Sequence, residues 1–76
     1  MNNSFNLGDM VEIDTTEVTY YNGSYDGHYY FTHFRNNVGD FDHTDGEPKG
    51  FHVEEWELGM FTLLMTNEEY NERSVL

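Results

Sequence analysis

The run from His28 to Phe34, HYYFTHF, constrains the fold more than any other part of the chain. Aromatic and β-branched residues favour strands, and turn signals stand on both sides of this run: Asn22-Gly23 and Asp26-Gly27 before it, Asn36-Asn37 after it. Aromatic side chains fall on both faces of the predicted strand. We therefore expect it inside a sheet or at an interface between chains, in a mainly β protein.

Two further strands are predicted on the N-terminal side of this run. Val11 and Ile13 share one face and alternate with Met10, Glu12 and Asp14, which is the pattern of a half-buried strand. In the next segment, Val18 and Tyr20 alternate with polar residues, so we expect them on the face opposite to Thr19. The Asn22-Gly23-Ser24 and Asp26-Gly27 signals together predict a hairpin tip or an irregular loop.

The C-terminal half contains a long polar segment and two more strands. Residues 39–50 are rich in Asp and Gly and contain the only proline, which predicts a long exposed loop. Residues 51–55 alternate again, with Phe51 and Val53 expected inward. Trp56 is expected in the core because it lies between the apolar residues Val53 and Leu58. The apolar run 60–65 predicts a buried last strand.

Thr66 followed by Glu69 has the spacing of a capping box, which predicts a short helix over residues 67–73. Five short strands and one helix fit a small SH3-like barrel or a strongly twisted antiparallel sheet. The Leu-Gly-Asp-Met-Val opening at residues 7–11 and the turn at 55–58 before the final strand resemble the SH3-like plan. We expect a single domain over 1–76, divided into a flexible N-terminus (1–6), a β core (7–65) and a short helix (66–74).

Charge limits the function. Fifteen Asp and Glu stand against three Lys and Arg in 76 residues, a net charge of −12. Direct binding to nucleic acid or to an anionic membrane is not expected, because phosphate binding needs clustered Lys and Arg. The chain has no cysteine, which excludes disulfides and thiolate zinc sites, and no apolar run of about 20 residues that would span a bilayer. With no signal-peptide pattern at Met1, we expect a cytoplasmic protein.

Motifs for metal binding or catalysis are weak. Asp40-x-Asp42 begins like a calcium loop, but Asp45 stands where glycine is needed and Phe51 where glutamate is needed. The four histidines lack a metal-binding spacing, and the serines lack a nucleophile-elbow context. The chain is therefore not expected to be an enzyme, and no cofactor or metal is expected.

The carboxylates are distributed along the whole chain instead of being gathered in one tail. Side chains two apart on a strand share a face and are about 6.6 Å apart, which is similar to the spacing of about 6–7 Å between successive phosphates of a DNA strand. Rows of carboxylates on a β scaffold could thus present charge as a DNA backbone does. The residues expected to contact a partner are Glu12, Asp14, Glu17, Asp26, Asp40, Asp42, Asp45, Glu47, Glu54 and Glu57.

In size, acidity, aromatic content and lack of cysteine, the chain resembles small phage-encoded DNA-mimic proteins that disable host DNA-binding proteins. The resemblance implies a basic DNA-binding host protein as partner, such as the nucleoid protein HU, and inhibition by competitive occlusion. Tyr25, Tyr29 and Tyr30 are candidate apolar anchors in such a complex. The strand over 28–34 is the candidate surface for a homodimer that would match a two-fold partner.

Three other interpretations remain open. An SH3-like protein-interaction or structural phage module would bind through its aromatic residues, with Tyr29 or Trp56 more important than the charges. An acidic surface also serves solubility, and halophilic proteins use it to hold water and cations. A calcium-dependent module is the third, and it predicts a higher melting temperature in millimolar Ca²⁺ than in NaCl of equal ionic strength.

Overall fold

One five-stranded antiparallel sheet followed by a short helix makes up the fold in the computed structural model, which describes residues 5–14 and 16–74. The strands are β1 (Met10–Ile13), β2 (Glu17–Tyr25), β3 (His28–Thr32), β4 (Phe51–Val53) and β5 (Thr62–Met65). The helix is α1 (Asn67–Ser74), and two 3₁₀ turns cover Arg35–Asn37 and Glu55–Met60. The prediction of a mainly β fold with a C-terminal helix is confirmed.

The strands lie in the order β4-β3-β2-β1-β5, so β4 and β5 form opposite edges. The sheet is not closed into a barrel, because these two edges do not pair, and the barrel alternative is therefore wrong. The aromatic strand β3 pairs with β2 on one side and β4 on the other, which confirms its interior position. Its backbone consequently offers no free edge for pairing with a second chain.

The hydrophobic core lies on one face of the sheet, called here the inner face. Its buried members are Val11, Ile13, Tyr21, Phe31, Val53 and Leu58. The Phe31 ring is central, with the Tyr21 and Phe61 centroids each 5.4 Å away. Phe5 packs against the same rings, so it belongs to the folded part although a flexible segment was expected over 1–6. Residues 1–4 of that segment lie outside the described residues.

The alternation predicted along β2 is present, but the opposite set of side chains is buried. Thr19 is fully buried, whereas Val18 keeps 40% of its surface exposed. The antiparallel register explains this difference, because Thr19 lies directly opposite Val11 and therefore shares its inner face. The Thr19 hydroxyl is satisfied there by donating a 3.0 Å hydrogen bond to the Val11 carbonyl oxygen.

Asn22-Gly23 does not form the expected hairpin tip. Both residues lie within β2, where the register with β3 shifts between Tyr21 and Ser24 as in a β-bulge. The chain reverses at Asp26-Gly27, whose φ values of 52° and 80° are those of the tight turn that joins two twisted strands. Of the two turn signals in this segment, only the second is used as a turn.

Two predictions of burial near the C-terminus are wrong. Trp56 is 71% exposed, since the 3₁₀ turn directs Leu58 into the core instead. The last strand β5 is an edge strand, so the run over 60–65 is largely exposed although it is apolar. Leu63 and Leu64 keep 45% and 44% of their surfaces exposed.

The predicted capping box at the start of α1 is confirmed. The Glu69 N–H donates to the Thr66 hydroxyl at 3.1 Å, and the Thr66 N–H donates to the Glu69 carboxylate at 2.9 Å. The buried Asp9 carboxylate also accepts the N–H of Asn67 at 2.8 Å, which ties the first turn of the helix to the segment before β1. Within the described part of the chain, no helix has the length and apolar character needed to cross a membrane.

Arg35 fixes the helix to the sheet. Its guanidinium donates 2.7 Å hydrogen bonds to the Gly8 carbonyl oxygen and to the Asn67 side chain. It also lies 3.8 Å from the ring centroid of Tyr70 on α1 and 5.6 Å from that of Tyr20 on β2. One of the three basic residues is therefore used inside the fold.

Candidate functional site

The loop between β3 and β4 is held in place by the buried side chain of Asn22. Its amide group donates to the carbonyl oxygens of Asn37 (3.2 Å), Asp40 (3.3 Å) and Lys49 (2.9 Å). Its oxygen accepts the N–H of Gly39 at 2.8 Å. The loop is exposed, as expected from its composition, but it is tied to the bulge in β2 and is not a free chain.

Within this loop the chain doubles back as a small hairpin. Phe41 and Pro48 form an isolated antiparallel bridge, and the Asp42 N–H donates to the Glu47 carbonyl oxygen at 2.8 Å. The side chains at its end are also ordered by the backbone, since the Asp45 carboxylate accepts the Glu47 N–H at 3.0 Å. The carboxylates of the hairpin are therefore presented in a defined arrangement.

Asp26, Asp42, Asp45 and Glu47, which we call the acidic tip, surround Tyr25 at one end of the sheet. Asp26 belongs to the β2–β3 turn, and the other three belong to the loop hairpin about twenty residues later. All four side chains are exposed. Their combined negative field raises the pKa of Tyr25, with Asp45 contributing most, because a phenolate there would be repelled by every neighbour.

Tyr30 joins the acidic tip to the sheet. Its hydroxyl donates a 2.7 Å hydrogen bond to the Glu47 carboxylate, and its ring lies 6.4 Å from that of Tyr25. This hydrogen bond to a carboxylate is the main cause that raises the pKa of Tyr30 to about 12, because it stabilises the neutral phenol. Glu47 is thereby fixed over the outer face of β3.

The carboxylate of Asp42 is stabilised in its charged form. It accepts the backbone N–H groups of Thr44 at 2.6 Å and Asp45 at 3.3 Å. These two hydrogen bonds, that from Thr44 being the larger cause, lower the pKa of Asp42. The acidic tip therefore retains this negative charge in mildly acidic solution.

Glu54 extends the acidic surface along β4. Its carboxylate lies 3.1 Å from Nε2 of His28, which directly follows the β2–β3 turn, and the ring centroids of His28 and His52 are 4.7 Å apart. A second histidine–carboxylate pair, His33 with Glu17, lies at the other end of these strands. Glu54 thus lies on the same end of the sheet as the acidic tip, and Glu17 does not.

Two of the remaining predicted contact residues adjoin this surface: Asp40 lines the same loop cleft as Asp42 and Glu47, and the Glu57 carboxylate accepts the N–H of Glu54 at 2.9 Å. The other three do not. Glu12, Asp14 and Glu17 lie around the β1–β2 connection, separated from the acidic tip by the length of β2, about 25 Å. Only Glu12 and Glu17 of the ten lie within strands, so the expected rows of carboxylates along strands are not formed. Asp40 begins the loop hairpin and Glu57 lies in the second 3₁₀ turn.

The aromatic anchors differ in accessibility. Tyr30 is buried beneath the loop, whereas Tyr25 and Tyr29 are both half-buried. Tyr29 packs against the inner-face core, and Tyr25 lies among the acidic-tip carboxylates. Trp56 is the accessible aromatic residue that the sequence reasoning placed in the core. Its flanking glutamates, Glu55 and Glu57, were the sequence signal of an exposed position.

Metal ligands do not converge on this surface. Across residues 5–14 and 16–74, no three side chains among His, Asp and Glu are arranged to hold a metal ion. The cleft along the loop, with a volume of about 830 Å³, is lined by Asp40, Asp42 and Glu47 but also by Lys49. Its chemistry is that of an open, acidic protein surface.

Comparison of the chain with known protein families, with curated proteins and with solved structures found no match. The functional proposal therefore rests on the arrangement of this chain's own residues. That arrangement is an exposed, internally ordered group of carboxylates at one end of an open sheet.

Proposed function

We propose that the protein is an acidic DNA mimic, which binds the DNA-binding surface of a basic protein and blocks that surface by occupying it. The observation that carries this proposal is the acidic tip, where four exposed carboxylates from two separate chain segments meet around Tyr25. Bringing like charges together reduces the stability of a fold. A cationic partner would offset that repulsion on binding.

The mechanism is electrostatic steering followed by occlusion. A basic partner is attracted to the −12 chain at a high, salt-sensitive rate, and docking then covers the surface that otherwise holds phosphates. The hydrogen bonds within the loop hairpin and from Tyr30 to Glu47 order the carboxylates before the partner arrives. Such preorganisation reduces the entropy lost on binding.

A nucleoid protein of the HU type is the specific partner that we propose. Such proteins are small and basic, and they bind DNA with little sequence preference. Contacts to phosphates position a protein on DNA, whereas contacts to base edges supply sequence specificity. A mimic that offers carboxylates but no base edges is therefore best suited to a partner that reads the DNA backbone.

The test is displacement of a labelled DNA duplex from an HU-type protein at low and at moderate salt. A variant carrying Asp26→Asn and Asp45→Asn loses two charges of the acidic tip, and asparagine tolerates the positive φ at position 26. The control carries Glu68→Gln and Glu72→Gln, which remove the same charge from exposed positions on α1. We expect the first variant to need roughly tenfold more protein for half displacement, and the control to differ by less.

Two results would contradict this proposal. The first is a wild-type chain that displaces no DNA from an HU-type protein or from other basic DNA-binding proteins at either salt concentration. The second is equal weakening by the two double variants, which would show that only net charge matters and that the acidic tip is not the contact surface.

A second candidate function is a protein-interaction module that binds through aromatic side chains. The exposure of Trp56 favours it, since an unburied tryptophan is a common anchor of interfaces. This function predicts binding that survives moderate salt and is lost in Trp56→Ala. Because Trp56 lies outside the core, that substitution tests binding without removing core packing.

A further inference from the structure

The strand β5 has an open backbone edge. It pairs with β1 on one side and is the last strand of the sheet order, so no other strand among the described residues pairs with its opposite side. Unpaired N–H and C=O groups along an edge strand are a template for pairing with another strand. Native proteins commonly protect such an edge with charged residues or proline.

The edge formed by β5 lacks this protection. Residues 58–67 contain no Asp, Glu, Lys, Arg or proline, and no other run in this chain is so long without charge. Leu63 and Leu64 are both exposed, and because neighbouring strand residues point to opposite faces, each face of the edge carries an exposed leucine. The strand is therefore apolar, uncharged and open.

The opposite edge of the sheet, formed by β4, is shorter and is followed by charged residues. The strand β4 has only three residues, and Glu54 and Glu55 follow it directly. A short strand followed by charged residues is a common protection of a sheet edge, whereas β5 has no charged residue within it or directly beside it. Pairing between identical chains is thus favoured at one edge of the sheet alone.

We propose that β5 pairs antiparallel with β5 of a second copy of this chain, which joins two five-stranded sheets into one continuous two-fold sheet. An antiparallel pair of identical strands is self-complementary, so Leu63 and Leu64 of each copy are covered by the same residues of the other. A strongly cationic partner gains no attraction from this uncharged strip. A second copy supplies matching apolar side chains and backbone groups.

The net charge does not prevent this arrangement. Adjacent strands are about 4.8 Å apart, so the two β1 strands, which carry Glu12, would be three steps or about 14 Å apart. That separation exceeds the Debye length of about 8 Å at physiological salt. The two acidic tips lie beyond β2, still farther from the shared edge. Both tips stay free in the dimer.

The test is analytical ultracentrifugation of the full chain over a range of concentrations, at low and at high NaCl. We expect a monomer–dimer equilibrium in which higher salt strengthens the dimer, because screening reduces repulsion between two acidic chains. Leu64→Glu places charge on the open edge and should weaken dimerisation roughly tenfold or more. Phe34→Glu is the control, since it adds the same charge at a side chain that is 67% exposed and lies outside β5.

A wild-type chain that remains monomeric at every concentration and both salt levels would overturn the proposal, as would a Leu64→Glu chain that dimerises like wild type. Circular dichroism checks that each variant is folded. If Leu64→Glu does not fold, Thr62→Lys, at another exposed position of the same strand, is judged by the same criterion. The result is separate from the proposed DNA mimicry, because salt should weaken binding of a basic partner but strengthen the dimer.

Discussion

The side-chain amide of Asn22 donates a 2.9 Å hydrogen bond to the carbonyl oxygen of Lys49, which joins the bulge in β2 to the end of the acidic loop. Two further carbonyl oxygens and one N–H of the same loop also bond to Asn22. One buried polar side chain therefore positions the loop that carries three of the four acidic-tip carboxylates. Ordering a loop so rich in Asp and Gly costs conformational entropy, and these hydrogen bonds offset that cost.

Asn22→Asp tests this anchor. The substitution keeps the oxygen that accepts the Gly39 N–H, but it replaces the donating amide with an oxygen facing three carbonyl groups. We expect the free energy of unfolding to fall by about 2–3 kcal/mol, because buried acceptors lose their donor. Urea denaturation measures the loss. Asn36→Asp, at an exposed position, is the control and should change stability little.

Gly50→Ala should be far more destabilising than Gly46→Ala. Both glycines have positive φ values, 122° and 83°, so alanine is strained at either position. At Gly50 the added Cβ would also overlap the carbonyl oxygen of Phe31, whereas at Gly46 it meets no atom within 4 Å. We expect a loss of about 3 kcal/mol or more at Gly50 and of about 1–2 kcal/mol at Gly46, measured by thermal denaturation. Equal losses would contradict the close approach of the loop to β3.

The raised pKa of Tyr30 predicts that the folded protein loses stability in alkaline solution. This pKa is raised from 10.0 to about 12 by the hydrogen bond to Glu47, so the neutral phenol is favoured in the folded state. This contribution is complete below pH 10 and is lost as the pH rises through 12. In Tyr30→Phe, the decline in unfolding free energy over this range should be shallower than in wild type. A decline in Tyr30→Phe as steep as that of wild type would contradict the role of this hydrogen bond.

Removing acidic-tip charge should lower the pKa of Tyr25. Asp45 contributes most to the raised pKa and Asp26 contributes further, so the Asp26→Asn, Asp45→Asn double variant should titrate Tyr25 closer to the ordinary value of 10.0. The NMR shift of the tyrosine Cζ atom reports the titration. Glu68→Gln with Glu72→Gln should leave it unchanged, and a shift of the same size there would contradict the placement of Tyr25 among these carboxylates.

Tyr70→Ala tests the attachment of α1. The Arg35 guanidinium lies 3.8 Å from the Tyr70 ring centroid while it bonds to Gly8 and Asn67. Loss of the ring should lower stability by about 1–2 kcal/mol and speed amide exchange in the helix. Glu72→Ala, at an exposed helix position, is the control. Unchanged exchange in Tyr70→Ala would show that the helix is held by other contacts.

Local patterns in the sequence predicted much of the secondary structure. The HYYFTHF run, the Asp26-Gly27 turn and the Thr66–Glu69 capping box each act over a few neighbouring residues, and each is present. The same local reasoning placed Trp56 and the 60–65 run in the core. It failed there because hydrophobicity alone reveals neither which residue of a turn is directed into the core nor whether a strand has a neighbour on both sides.

By itself, the sequence determined the alternation of strand residues, the mainly β class, the helix start and the net charge, because these depend on residue type and short-range spacing. The tertiary structure decided which side of each alternation is buried, as Thr19 and Val18 show. It also gathered Asp26 with the carboxylates of a loop about twenty residues away and left β5 as an open edge. The first result depends on the buried hydrogen bonds of Asn22 and the second on strand pairing, and both kinds of contact join residues far apart in the chain.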